Sequence, residues 1–457
     1  MDTFKISEKD NVCVNLETGH KIADRDIVKG EDVGRYGFPI GVATSDIKKG
    51  EQVHTNNMKT KLEGVLKYDY TPDFSELLPA EPLQISAFVR SNGDIGIRND
   101  IWIIPTVGCV NGIGNALSQK TGAFCFPHPY GCSQLGGDMK TTQLILKGLI
   151  NHPNAGGVLV LGLGCENNNI GEMKKVLGDV DTERIRFLSV QDVENEMDEG
   201  IKIIEELKTV AAKDKREKVP ISRLKVGLKC GGSDGFSGIT ANAVVGRVTD
   251  KLCSMGATAV LTEVPEMFGA EKLLFERCVD KEIFEKSVAL INGFKEYFRS
   301  HGEPVSENPS PGNKEGGITT LEEKSLGCVQ KGGTAPIVDV LDYGDALSKT
   351  GLNLLNGPGN DIVAVTNLAA CGCHIILFTT GRGTPLGSVV PTIKIASNNT
   401  VAEKKPHWID FNAYGFEREK IADSLTELIV KVADGQPTNN EKYGCREIAI
   451  FKDGVTL

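Results

Sequence analysis

The sequence predicts an α/β protein in which a small β-rich N-terminal domain precedes two α/β domains, the last built on a mainly parallel sheet. Three observations predict it. Period-2 apolar runs punctuated by glycine open the chain, strand-like and helical runs alternate from Leu83 onward, and 52 of 457 residues are glycine, as tight loops between small elements require.

The elements follow in chain order. Val12-Cys13-Val14, His20-Lys21-Ile22-Ala23 and Ile40-Gly41-Val42-Ala43 alternate as half-buried strands do, and Gly19, Gly30, Gly37 and Gly50 separate them. A β-rich domain is therefore expected over 1–70. Pro72, Pro79 and Pro82 fall in a polar stretch. Proline fixes φ and donates no backbone N–H, so residues 71–83 should form an extended linker. A central α/β domain is expected over 84–218, with strands at 101–104 and 158–161 and helices at 139–150 and 201–212. The charged run 213–218 ahead of Pro220 reads as a helix end at a boundary, its charges a solvated face. A C-terminal α/β domain over 219–457 should carry strands at 224–228, 258–261, 361–366 and 375–379. Helices are expected at 241–255 and 271–278, and an irregular proline-bearing loop at 301–313. No repeat of solenoid period is evident.

Composition narrows the function. A net charge of −10 repels nucleic-acid backbones and anionic lipid heads, so neither is an expected partner. An anionic substrate would need positive charge gathered locally. The longest apolar run, 158–163, is too short to span a bilayer. The N-terminus has no basic segment followed by an apolar one, so no secretory signal is read. Twelve cysteines in such a chain then read as reduced thiols of a cytoplasmic protein.

Three strand-like runs end in a glycine/cysteine turn: Gly162-Leu163-Gly164-Cys165-Glu166, Lys229-Cys230-Gly231-Gly232-Ser233-Asp234 and Ala370-Cys371-Gly372-Cys373-His374. Open α/β sheets bind ligands beyond the carboxyl ends of their strands, and a helix starting there offers free N–H groups to a carboxylate. The bland alternative is ordinary turns with small buried cysteines. Cys371, Cys373 and His374 lack the gaps of a structural zinc site, and on a strand the two cysteines would share one face. Cys109, Cys132 and Cys165 have no tight iron–sulfur spacing, although a cluster could use them. His128 sits between Pro127 and Pro129 beside Gly131-Cys132, held stiffly either as an acid/base group or simply as part of a tight turn. His20 and His54 could present two imidazoles to a divalent metal. Arg382, within Thr379-Thr380-Gly381-Arg382-Gly383-Thr384-Pro385, can offer its planar fork to a carboxylate. Its surroundings fit neither a P-loop nor a dinucleotide fingerprint.

Taken in order, these motifs resemble the altronate/galactarate dehydratase family over nearly the whole chain. Gly19-His20-Lys21 through Val53-His54-Thr55 resembles the family's SAF-type N-terminal module. Arg98-Asn99-Asp100, Thr106 through Asn111, Pro127 through Cys132 and Gly162 through Glu166 resemble its central domain. Cys230 through Asp234, Ala370 through His374 and Thr379 through Pro385 resemble its C-terminal domain, which implies a Rossmann-like fold there. Where the family often has a second histidine after His54-Thr55, this chain has Asn56-Asn57. The fused N-terminal module separates the chain from related sulfolactate sulfo-lyases, whose module is typically a separate subunit.

The resemblance implies a metal-dependent hydro-lyase that converts a sugar acid to a 2-keto-3-deoxy acid and water. D-altronate is the first expectation, and galactarate or another aldarate the alternative. His128, Cys132 and Lys140 are the candidate catalytic residues. Arg98, Gly231, Gly232, Ser233, Asp234, Thr380 and Arg382 are the candidate substrate-binding residues. His20, His54, Cys165 and Glu166 are the candidate metal ligands. Fe2+ is the expected cofactor, with Mn2+ second and an iron–sulfur cluster third. The expected assembly is a homo-oligomer acting on a small sugar acid. The rival of another class is a non-catalytic sugar-acid binding protein.

Overall fold

The computed structural model describes residues 2–62 and 64–457. The N-terminal module is β-rich, as expected. Thr3–Phe4, Val12–Asn15, Lys21–Ala23 and Gln52–Val53 form one antiparallel sheet, and Asp32–Arg35, Phe38–Ala43 and Met58–Lys59 form another. A short duplication builds it. Ala23-Asp24-Arg25-Asp26-Ile27-Val28-Lys29-Gly30-Glu31 recurs twenty residues later as Ala43-Thr44-Ser45-Asp46-Ile47-Lys48-Lys49-Gly50-Glu51. The two copies bond reciprocally. Ile27 and Ile47 exchange backbone hydrogen bonds, Gly30 donates to the Ala43 carbonyl, and Gly50 donates to that of Ala23.

The central domain carries four parallel strands, ordered Phe124–Cys125, Asp100–Pro105, Ala155–Gly162 and Ile185–Ser189. Helices Asn111–Thr121 and Glu196–Ala211 cover one face. Gly136–Ile150 and Ile170–Leu177 cover the other. Every residue of Ala155–Gly162 is buried, which is why it reads as a continuous apolar run rather than an alternation. The 213–218 run is not only a helix end. Arg216–Pro220 pairs antiparallel with Gln84–Val89, with Glu217 and Lys218 exposed and Val219 buried.

Seven parallel strands form the C-terminal sheet, in the order Ile337–Leu341, Gly351–Leu355, Thr258–Leu261, Lys225–Cys230, Ile375–Thr380, Thr392–Ala396, Phe411–Asn412. One expected strand is corrected. Residues 361–366 begin a helix, Asp361–Ala370, whose N-cap Asn360 accepts from the Val363 amide. Packing buries most of this helix, so its apolar residues show no amphipathic period and its β-branched residues mimic a strand. Cys371 and Cys373 consequently lie in the turn after a helix, buried, with Sγ atoms 3.8 Å apart. The 301–313 loop also ends in a short helix, Pro311–Glu315, with a capping box between Ser310 and Asn313.

The two α/β domains share a core, in which Ile145, Leu146 and Leu149 meet Val365, Leu368 and Ala369. His152 Nε2 donates to the Cys373 carbonyl at 3.1 Å, and Asn154 donates to that of His374 at 2.9 Å. Among the described residues, no helix is long and apolar enough to cross a membrane.

Candidate functional site

The C-terminal sheet has a topological switch point. From Lys225–Cys230 the chain builds toward one edge, and from Ile375–Thr380 it builds toward the other. A crevice forms where such loops diverge, beyond the carboxyl ends of the two strands. Gly231 through Asp234 and Gly381-Arg382 meet there. The Gly231 amide donates to the Thr379 carbonyl at 3.0 Å, and the Gly381 and Arg382 amides donate to the Gly232 carbonyl at 3.1 Å. Asp234 ties the loops together, accepting from Ser237, Ser397 and Asn398. Thr380 Oγ1 accepts from the Gly383 amide at 2.9 Å. Arg382 is exposed; it reaches Glu315 at 2.9 Å and the Gly312 carbonyl at 3.3 Å. The first helix after Lys225–Cys230 begins only at Ala241, so the turn residues 231–240, not a helix N-terminus, frame this side.

The N-terminal module docks at this crevice. Its Lys21 donates to the Gly317 carbonyl at 2.7 Å and to Glu323 at 2.8 Å, while Arg35 pairs with Glu323 and donates to the Gly235 carbonyl at 2.8 Å. Burial alone would raise the Glu323 carboxyl, but Lys21 and Arg35 bring it down to about 2. Burial lowers Lys21 to about 8, leaving the pair charged at neutral pH. Gly235 has no room for a side chain, because a methyl group would strike the Gly19 carbonyl. Docking brings His20 and His54 to the crevice wall with ring centroids 5.7 Å apart. His54 Nε2 donates to the Lys314 carbonyl at 2.9 Å, and His20 Nδ1 meets the Gln52 amide at 2.8 Å. Burial, then the charges of His54 and Lys21, hold His20 below its usual value and so favour the neutral imidazole.

Beneath the switch point lies a buried charged layer that the sequence reading missed. Lys229 pairs with Glu263 and, at 2.8 Å, with Asp361; Lys331 pairs with Glu263 at 3.1 Å; Lys324 pairs with Glu266 at 2.8 Å. Lys324 also donates to Asn313, which donates to the Ser233 carbonyl, so this layer is continuous with the crevice. Glu263 has left-handed backbone angles, φ 72° and ψ 56°, unusual for a residue other than glycine. Burial pushes its carboxyl up; the lysines, Lys324 first among them, overcome burial at Glu266 and hold that carboxyl low. Cys230, Glu266 and Cys328 form a Cys-Glu-Cys group whose ligand atoms lie within 4.8 Å of one another and which could hold a metal ion. Lys331 donates to Cys230 Sγ at 2.9 Å, so ammonium groups already neutralise these donors. No motif flagged these partners, because Cys230 and Cys328 stand 98 residues apart and only folding brings them together.

The remaining candidates lie in the central domain. His128 is 2% exposed, its Nε2 donating to the Pro105 carbonyl at 2.8 Å and its Nδ1 accepting from the Tyr130 amide at 3.2 Å. Burial holds its pKa below the usual value. It braces the turn that carries Cys132. Glu166 is likewise a brace, accepting from Thr106 Oγ1 at 2.8 Å and from the Leu163 and Gly164 amides. Cys132 and Cys165 are exposed, and Lys140 is exposed on the helix after Cys132. Arg98 belongs to neither group. Its guanidinium binds Glu441 at 2.7 Å and the carbonyls of Ile97, Val432 and Gln436, which leaves no open fork for a substrate.

Comparisons with known proteins agree with this organisation. The profile "Altronate/galactarate dehydratase SAF domain" matches residues 1–61, "D-galactarate dehydratase/Altronate hydrolase, second domain" matches 87–212, and "D-galactarate/Altronate dehydratase, C-terminal" matches 221–456. Altronate dehydratase of Bacillus subtilis (strain 168) is 53% identical over 97% of this chain and 93% of its own length. Altronate dehydratase of Escherichia coli (strain K12) is 50% identical over 98% and 94%. Galactarate dehydratase (L-threo-forming) of Escherichia coli (strain K12) is 31% identical over 96% and 90%. With three successive domains matched and likeness running end to end, the chain belongs to the D-galactarate/altronate dehydratase family.

Proposed function

We propose that the chain is a hydro-lyase that dehydrates D-altronate, with galactarate or another aldarate as the alternative substrate. The observation that carries this reading is the meeting of an exposed arginine, glycine amides and a histidine pair at the switch point of the parallel sheet. The names of the two relatives at 53% and 50% identity support it. In the reaction, the C2 proton and the C3 hydroxyl leave together as water, and the enol formed becomes a 2-keto-3-deoxy acid. A proton α to a carboxylate is very weakly acidic, so developing enediolate charge must meet fixed donors or a cation as it forms.

Arg382 and the amide of Gly232 would receive the substrate carboxylate, while Gly231, bonded to the Thr379 carbonyl, and Ser233, Asp234 and Thr380 keep the two loops in register. His20 and His54, imidazoles with ring centroids 5.7 Å apart on the docked module, suit a divalent ion as two of its ligands, Fe2+ foremost and Mn2+ second. Such an ion, when bound, supplies Lewis-acid stabilisation of charge on the carboxylate and hydroxyl oxygens. The Cys-Glu-Cys group fits a cation less well, since three lysines surround it. In the central domain, Cys132 and Lys140 are the proposed acid/base groups. His128 and Glu166 position them, and Cys165 is the proposed thiol ligand. A homo-oligomer in the cytoplasm completes the reading.

Incubation with D-altronate, galactarate and other aldonates, with detection of α-keto acid, tests the proposal. Keto acid from D-altronate is expected. Calorimetric binding without keto acid would instead establish a sugar-acid binding protein. Treatment with a chelator should abolish turnover and Fe2+ or Mn2+ restore it; undiminished turnover would remove the metal step.

A further inference from the structure

The segment 310–317 that borders the crevice is held from both sides. Its short helix Pro311–Glu315 is capped by the Ser310–Asn313 box, and Asn313 Nδ2 donates to the Ser233 carbonyl at 2.8 Å. Buried Lys324 donates to Asn308 at 3.0 Å and to Asn313 at 3.2 Å. The Gly235 amide donates to the Gly316 carbonyl at 2.8 Å, while His54 and Lys21 reach the Lys314 and Gly317 carbonyls. The backbone here is thus fixed against both the switch-point loops and the N-terminal module.

Glu315 projects from this fixed backbone with its side chain 72% exposed, and its Oε2 lies 2.9 Å from Arg382 Nη1. The same Nη1 donates to the Gly312 carbonyl at 3.3 Å. Among the described residues, Nε and Nη2 of Arg382 make no hydrogen bond, so one edge of the guanidinium stays open. A carboxylate can accept two parallel N–H bonds from that edge while Glu315 and Gly312 keep the plane of the fork from turning.

Charge then limits what else can enter. The buried cations nearby are already matched, Lys21 and Arg35 with Glu323, and Lys324 with Glu266. Asp234 adds a second acidic side chain to the crevice, held by Ser237, Ser397 and Asn398. A ligand with one carboxylate satisfies the open edge of Arg382. A second carboxylate on the same ligand meets the like charge of Glu315 and Asp234.

We propose that Glu315 is a positioning and specificity residue. It steadies Arg382 for one substrate carboxylate and, through its own charge, favours aldonates, which carry one carboxylate, over aldarates, which carry two. This rests on the dehydratase reading of the same crevice.

The test compares D-altronate with galactarate in the full chain, galactarate being read as a competing substrate or as a competitive inhibitor. Glu315→Gln keeps an oxygen that can accept from Nη1 and removes the charge. Preference for D-altronate over galactarate should fall about three- to tenfold, the effect of one unit charge a few ångströms away in near-aqueous surroundings. The change should lie in the KM or inhibition constant, with kcat for D-altronate little moved. Glu315→Lys should lower the preference further. Glu315→Asp, which keeps the charge, should stay within about twofold of wild type. Because Glu315 is exposed, salt at about 1 M should shrink the difference between wild type and Glu315→Gln. Glu303→Gln removes an exposed charge at the far end of the same loop and should leave the preference unchanged.

An unmoved preference in Glu315→Gln, or a wild type that favours galactarate, would overturn the proposal, while keto acid from D-altronate would leave the dehydratase reading standing. If no acid of either class yields keto acid, that reading falls, and calorimetric affinities for D-altronate and galactarate carry the same comparison. An affinity ratio unmoved by Glu315→Gln, or no binding of either acid, then sinks the specificity assignment as well.

Discussion

At Glu323 one buried carboxylate meets two cations from another domain, Lys21 and Arg35, and none of the three has water to replace a missing partner. Glu323→Gln should therefore cost about 3–5 kcal/mol, the range for breaking a buried pair. Chemical denaturation measures it, and an unchanged midpoint would show that the pair contributes nothing to holding the module. Arg382 stands at the other extreme, exposed and paired only with exposed Glu315. Arg382→Lys keeps the charge and loses the planar fork, so KM for D-altronate should rise about tenfold, or ~1.4 kcal/mol, with kcat little changed. A fall in kcat alone would place Arg382 in the chemical step instead. The two residues were unequally legible. Arg382 announces itself between two glycines after an apolar strand. Nothing near Glu323 in sequence names Lys21 or Arg35, which lie about three hundred residues away.

Among elements, the parallel strands were the most legible, because Lys225–Cys230, Thr258–Leu261 and Ile375–Thr380 are buried on both faces and read as apolar runs. The same burial misled at Asp361–Ala370, a helix enclosed on nearly every side, whose capping residue Asn360 was the available signal. The crevice itself could be anticipated only as glycine turns after strands. Which turns adjoin depends on strand order, and strand order is set by long-range pairing. Gly235 tests how the N-terminal module meets this crevice. Gly235→Ala places a methyl group against the Gly19 carbonyl, with no flexible side chain to yield. The module should seat about 1–3 kcal/mol less firmly. Faster proteolysis within residues 61–67 would report it; wild-type resistance would show that the contact relaxes freely.

Across the whole molecule, acid should separate the parts in sequence. Burial lowers His152 to about 4 and His374 well below its usual value, and both lie in the seam between the two α/β domains. Unfolded histidine binds its proton near pH 6.5, so stability is complete above that pH and falls toward pH 4, by about 3 kcal/mol from His152. Glu323 acts lower, its contribution present above about pH 4.5 and lost as pH falls toward 2. Unfolding free energy measured from pH 7 to 4.5 should show this slope, and His152→Gln should make it shallower, leaving the His374 share. An equal slope in the variant would assign the effect elsewhere. The seating of the N-terminal module, finally, is a matter of address rather than attachment. Lys21 and Arg35 find one buried carboxylate, and the Gly19 carbonyl finds a gap that only Gly235 leaves open. A chain severed within residues 61–67 should still travel as a single particle through a sizing column, its two fragments recognising each other as plug and socket do.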